Sequence, residues 1–206
     1  MREKHFIDSH KGATGIFILG LIAWHDAWAN PTAMVYLALH GSYGIFWLIK
    51  SRVFPDKSWE KQAPLWWGVS IWAGLSLYWI APWLIVSGDI RAPAWLSAAA
   101  VAAFAFGVFL HFSADMQKHV TLSLRPGKLM TDGLWSRIRN PNYFGELLIY
   151  ASFAALAMHW LPALVLALFV LAYWMPNMRR KDRSLSRYEG FADYRSRSWL
   201  FVPFLI

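Results

Sequence analysis

No cysteine occurs in the 206 residues. Structural disulfides, thiol nucleophiles and cysteine-ligated metals are therefore excluded. Charge is also scarce: Asp, Glu, Lys and Arg make up 16% of the chain, where a soluble domain carries about 25%. A Gly-rich phosphate fingerprint, a Walker sequence and an HExxH helix are missing, and the His residues have no metal-ligand spacing, so no metal is expected. No repeat stands out and the halves are not inverted copies, which argues against a transporter built from repeats.

What is abundant is apolar surface. The chain is 57% hydrophobic and 17% aromatic, with a mean hydropathy of +0.33. Runs near 12–28, 31–50, 65–86, 93–113, 141–158 and 160–177 each match the roughly 17–25 residues that a bilayer crossing needs. The expected fold is an all-α polytopic bundle of about six transmembrane helices, because lipid forces backbone hydrogen bonds to close within each segment. Residues 1–206 read as one integral membrane domain, with four runs in 1–113 and the chemistry expected in 114–206. A cleaved signal peptide is not expected, since the first run is too long and no small-residue cleavage site follows it.

Basic residues test the topology. Nineteen of the twenty Lys and Arg residues fall in the N-terminus, the 50–64 loop, the 114–140 loop and the tail after 177, and only Arg91 lies on the other side. Six crossings with both termini cytoplasmic satisfy the positive-inside rule. The net charge of +8 is thereby explained by the membrane surface, without nucleic acid. Trp24, Trp28, Trp59, Trp66, Trp67, Trp160 and Trp174 lie near run ends, as interfacial anchors do. Residues 182–197 read as a short amphipathic helix, either a surface anchor or a lid closing on the 114–140 loop.

Residues 131–150 carry the clearest local pattern. Asn140 suits an N-cap and Pro141 the first helical position, and Arg139, Tyr143, Glu146 and Tyr150 recur at spacings of four, three and four. A carboxylate inside an apolar helix needs a partner or a ligand. Arg137 and Arg139, the helix start, and Arg179, Arg180, Lys181 and Arg183 suit either lipid headgroups or a dinucleotide pyrophosphate. Asp115 and Lys118, one turn apart, are either an exposed ion pair or the mouth of a cavity that holds ribose or phosphate. His40 and Tyr43 share a face inside the second run. Tyr43 is either a structural hydrogen-bond donor or a proton donor to a substrate carbonyl. His25-Asp26 is either a proton relay or a wet interfacial pair.

Asp115-Met-Gln-Lys118, Gly133-Leu-Trp135, Arg139-Asn-Pro-Asn-Tyr-Phe-Gly-Glu146 and Phe191-Ala-Asp-Tyr194 with Phe201-Val-Pro203 resemble the C-terminal domain of the steroid 5-alpha-reductase family, in its bacterial membrane branch, over about residues 105–206. The resemblance implies a bacterial inner-membrane enzyme that uses NADPH to reduce a double bond in a lipophilic enone, sterol or isoprenoid-like substrate. It implies cofactor contact for Asp115, Arg139, Asn142, Tyr143 and Glu146, with Arg179, Arg180 and Lys181 aligned more loosely. His40-Gly-Ser-Tyr43 resembles the family's catalytic His-Tyr stretch, while Asn140 stands where the family often has His. A related group, the isoprenylcysteine carboxyl methyltransferases, also shows a Pro-x-Tyr helix start after an Arg and implies S-adenosylmethionine instead. A non-enzymatic lipid-binding protein is a third class; it would have no use for Glu146. Oligomeric state is left open by the sequence.

Overall fold

A computed structural model describes residues 1–205, which are helical and contain no strand beyond two isolated bridges. The α-helices are α1 (Glu3–Trp24), α2 (Pro31–Val53), α3 (Leu65–Ser76), α4 (Ile80–Ser87), α5 (Ala94–Leu124), α6 (Pro141–Leu156), α7 (Trp160–Phe169), α8 (Met175–Leu185) and α9 (Phe191–Ser196).

Four helical stretches are long and apolar enough to cross a membrane: Pro31–Val53, Leu65–Ser87, Ala94–Leu124 and Trp160–Leu185. They match four of the six expected runs. Two are composite, and a proline explains each joint. Pro82 offers no N–H to Tyr78, and the chain tightens into a 3-10 turn at Leu77–Trp79 between α3 and α4. Pro176 offers none to Ala172, and the chain widens into a π turn at Val170–Trp174 between α7 and α8.

The other two runs do not meet that standard. Helix α1 carries Glu3, Lys4, Asp8 and Lys11 in its first half. Helix α6 has 16 residues, about 24 Å at 1.5 Å per residue, against a hydrocarbon core of about 30 Å. Helix α5 departs the other way. Its 31 residues continue to Leu124, so Asp115 and Lys118 stand one helical turn apart as expected, and the loop expected over 114–140 begins only after Leu124. Arg125-Pro126-Gly127 ends it, with Gly127 at φ 77°.

The chain divides into two compact units, residues 1–104 with 150–166, and residues 105–149 with 167–206. In the first, α1 buries Phe6, Ile7, His10, Lys11, Thr14, Ile18 and Ile22, one face at helical spacing, against the α2 face that carries Tyr36, His40, Tyr43 and Trp47. Gly44 permits the approach, since a Cβ there would lie 2.4 Å from the Lys11 carbonyl oxygen. Asp26, left-handed at φ 51°, turns the chain, and the Asn30 side chain caps α2 by accepting from Ala33 N at 3.0 Å. The N-terminus meets the 54–64 loop at Glu60, whose carboxylate accepts from both Arg2 and Lys4 at 2.5 Å. Lys4, then Arg2, holds that carboxyl below its usual range.

Trp24, Trp66 and Trp160 are exposed, as anchors should be. Trp174 is not an anchor: it is buried in the second unit against Tyr143 and Phe201.

Candidate functional site

The second unit gathers most of the polar residues singled out from sequence. Its frame is the segment before α6. Gly133 (φ 57°) turns the chain, Gln117 of α5 accepts from Leu134 N and donates to the Asp132 carbonyl, and buried Trp135 donates to the Ala114 carbonyl at 3.2 Å. Residues 137–139 then pair with the tail, Arg139 N to Trp199 O and Trp199 N to Arg137 O, both at 2.8 Å.

Four side chains lock this arrangement. The Arg139 guanidinium donates from Nε to both Asp182 oxygens, at 3.0 and 3.3 Å, and from Nη1 to the Ser198 carbonyl and hydroxyl. Asn140 Nδ2 donates to the Leu200 carbonyl at 2.8 Å. Lys181 Nζ donates to the Arg139 carbonyl and to Asn140 Oδ1, with its ammonium 4.2 Å from the centre of the Trp135 ring. Tyr194 donates its hydroxyl to the Trp135 carbonyl, and burial pushes its phenol up to about 12. The expected 182–197 surface helix is thus the end of α8 plus α9, joined through Gly190 at φ 78°. Within it Phe191 and Tyr194 are buried, while Arg195 and Arg197 are exposed.

Beside this frame, α5 and α6 come into backbone contact at Gly107 and Gly145. A Cβ on Gly145 would fall 2.5 Å from His111 N and 2.6 Å from the Gly107 carbonyl oxygen. That closeness brings His111 Nδ1 within 3.0 Å of the Asn142 carbonyl, and Asn142 Nδ2 donates to Asp115 Oδ1 at 3.0 Å. Asp115 Oδ2 lies 3.9 Å from His111 Nε2. Asn142 Oδ1 is buried with no hydrogen-bond partner among the described residues. Further along α6, Tyr143 packs on Trp174 at 5.5 Å and Glu146 is half-buried.

The residues expected to hold a cofactor therefore fall into three groups. Asp115 and Asn142 bond to each other, with Tyr143 and Glu146 following on α6. Arg139 and Lys181 are engaged in holding the tail, and Lys118, Asp115, Asp182 and Arg139 are the charges felt at Lys181. Arg137, Arg179 and Arg180 are exposed. Sequence reasoning missed Asp182, Tyr194 and Ser198 as partners. It also gave His111 no role, although its place one turn before Asp115 was a usable signal.

In the first unit, the expected catalytic pair His40 and Tyr43 is buried on one face of α2. His40 Nδ1 lies 3.0 Å from the Tyr36 hydroxyl, and its ring stacks on Phe153 at 4.2 Å. Tyr43 presents its ring to the ammonium of Lys11 at 4.5 Å. His25 and Asp26 are exposed in the turn after α1, the wet-interface alternative.

The profile of a family described as "Protein of unknown function (DUF1295)" matches residues 57–197, more than half of the chain, and the chain belongs to that family. The family is related to the steroid 5-alpha-reductase-like membrane proteins. No curated protein matches the chain.

Proposed function

We propose that this protein is a membrane-embedded, NADPH-dependent reductase of a carbon–carbon double bond in a lipophilic enone or sterol- or isoprenoid-like substrate. The observation that carries this reading is the Asp115–Asn142–His111 cluster at the Gly107–Gly145 crossing, close in sequence to the start of α6. Family membership, and the relation of that family to the steroid 5-alpha-reductases, supports it.

The residues fit a dinucleotide. Asn142 Oδ1 is a buried acceptor that a donor-bearing ligand would satisfy. The Asp115 carboxylate suits ribose hydroxyls, and exposed Arg137, Arg179 and Arg180 suit phosphates. Arg139 and Lys181 act indirectly, by holding the tail against the segment that leads into α6. Tyr143 and Glu146 orient the ligand from inside α6. When bound, the dinucleotide supplies the hydride.

Titration of the detergent-purified protein tests the reading. NADPH binding is expected, weaker at high salt because exposed Arg residues contribute. Asp115→Asn should cost about tenfold or more in affinity, as for loss of a charged hydrogen-bond partner. Tight S-adenosylmethionine binding without NADPH binding would replace this reading with the methyltransferase. A neutral Glu146→Gln variant would favour a lipid-binding protein without catalysis.

A further inference from the structure

The first unit has a recess that the cofactor reading does not use. It is partly open, measures about 300 Å³, and lies between the first turns of α1, the last turns of α2 and the loop that follows α2. Lys4 and Asp8 line it from α1, Trp47 and Lys50 from α2, and Asp56 and Trp59 from the loop. Bonds between the N-terminus and the loop hold these walls. Glu3 N donates to the Lys61 carbonyl at 3.0 Å, and Ala63 N donates to the Met1 carbonyl at 2.8 Å. Glu60 adds the two bonds it accepts from Arg2 and Lys4.

The lining carries two ammonium and two carboxylate groups. A ligand of one sign meets like charge there, whereas a ligand that carries both signs matches each. Asp8 has capacity for a further donor. Its Oδ1 accepts from the Trp47 indole at 3.0 Å and its Oδ2 from the Ser51 hydroxyl at 2.7 Å, and both of these donors are neutral. A carboxylate has about four acceptor positions, so the Asp8 charge can still take a cationic donor. Position points to the source of that donor. Helix α2 is long and apolar enough to cross a membrane, and the recess lies at its basic end, beside Lys50 and Arg52. Ile49 and Val53, on the same last turns, are exposed and apolar. Trp47 and Trp59 are of the residue type that gathers at headgroup depth.

We propose that this recess binds the headgroup of a zwitterionic phospholipid with a primary ammonium, the phosphoethanolamine class. The ammonium enters against Asp8 and the Trp59 ring, the phosphate stays at the mouth beside Lys4, and the acyl chains lie along Ile49 and Val53. A primary ammonium is favoured over a quaternary one, because the Asp8 oxygens accept N–H groups and a quaternary nitrogen has none. A lipid is favoured over a soluble headgroup, because the exposed apolar turns give its chains a surface. The proposal stands apart from the reductase reading, since every group it uses belongs to the first unit.

The test is native mass spectrometry of the full-length protein released from detergent micelles. Dioleoyl phosphatidylethanolamine, its N-methyl and N,N-dimethyl forms, the phosphatidylcholine and the phosphatidylglycerol are titrated in turn. Retention should be strongest for the phosphatidylethanolamine and fall with each added methyl group. The phosphatidylcholine should bind about tenfold more weakly, the scale of a lost charged hydrogen bond, and the phosphatidylglycerol, which has no ammonium, should do the same. Asp8→Asn, which keeps an acceptor for the Trp47 indole, should bring the phosphatidylethanolamine down to the level of the phosphatidylcholine. Lys4→Met should weaken both by a similar factor, because both carry the phosphate. Thermal melting checks that the variants are folded, and the methylation series decides the matter in the wild type if one is not. Equal retention of phosphatidylethanolamine and phosphatidylcholine, stronger retention of phosphatidylglycerol, or a preference that survives in folded Asp8→Asn overturns the proposal. So does wild-type binding of both zwitterionic lipids by Lys4→Met, or displacement of the lipid by soluble phosphoethanolamine at equal concentration.

Discussion

Replacing Arg139 with Met would remove the cation that Asp182 and the Ser198 carbonyl both engage. Uncompensated partners of a largely buried ion pair cost about 3 to 5 kcal/mol. The Arg139→Met variant should therefore release the tail, seen as rapid proteolysis after Leu185, whereas Arg137→Met, an exposed position, should leave proteolysis unchanged. Tyr194 makes a second residue-scale prediction. Its phenol is raised from the ordinary 10 to about 12, so the fold favours the neutral form. That contribution is complete below pH 10 and is lost as pH rises toward 12. Denaturation curves should weaken across that window in the wild type and be flatter in Tyr194→Phe, which should start about 1 kcal/mol lower for its lost hydrogen bond. Arg139 was legible in the sequence because it stands directly before an Asn-Pro helix start. Asp182, 43 positions away, was not, since nothing local marks a carboxylate as the partner of a distant guanidinium.

Among elements, the α5–α6 crossing is the most exposed to a single methyl group. Gly145→Ala should separate the helices, because the new Cβ would meet backbone of α5 on two sides, and overpacking of this kind costs about 1 to 3 kcal/mol. Thermal melting should fall and NADPH affinity should fall with it, as His111 and Asn142 move apart. The apolar runs located the spanning helices well, since a bilayer fixes both their length and their composition. They gave the end of α5 too early, because the helix continues past the apolar run through Asp115 to Leu124, with nothing to break it before Pro126. They also could not show that α1 and α2 meet through Gly44, as close approach depends on the facing backbone and leaves no periodic trace. The Tyr150–Lys11 contact was hidden for the same reason: 139 positions separate its members.

At the scale of the molecule, the nineteen-to-one division of Lys and Arg predicts the topology. Reporter fusions after Arg91 should read as external and fusions after Lys128 as cytoplasmic. The reverse pattern at either point would refute six crossings with cytoplasmic ends. Arg2 and Lys4 share Glu60 with the loop between α2 and α3, so a reporter placed at the N-terminus should read as one placed in that loop does. The π turn at Val170–Trp174 bears on how this chain can change length over generations. Such a turn is in effect an extra residue accommodated within an α-helix, and each residue rotates a helix by about 100°. Loss of one codon there would turn α8 by that angle, bringing Met178 out of the core and carrying Lys181 and Asp182 away from Arg139 and Asn140. A lineage that lost it would need a compensating insertion before Leu185, so this short stretch should admit substitutions far more readily than deletions.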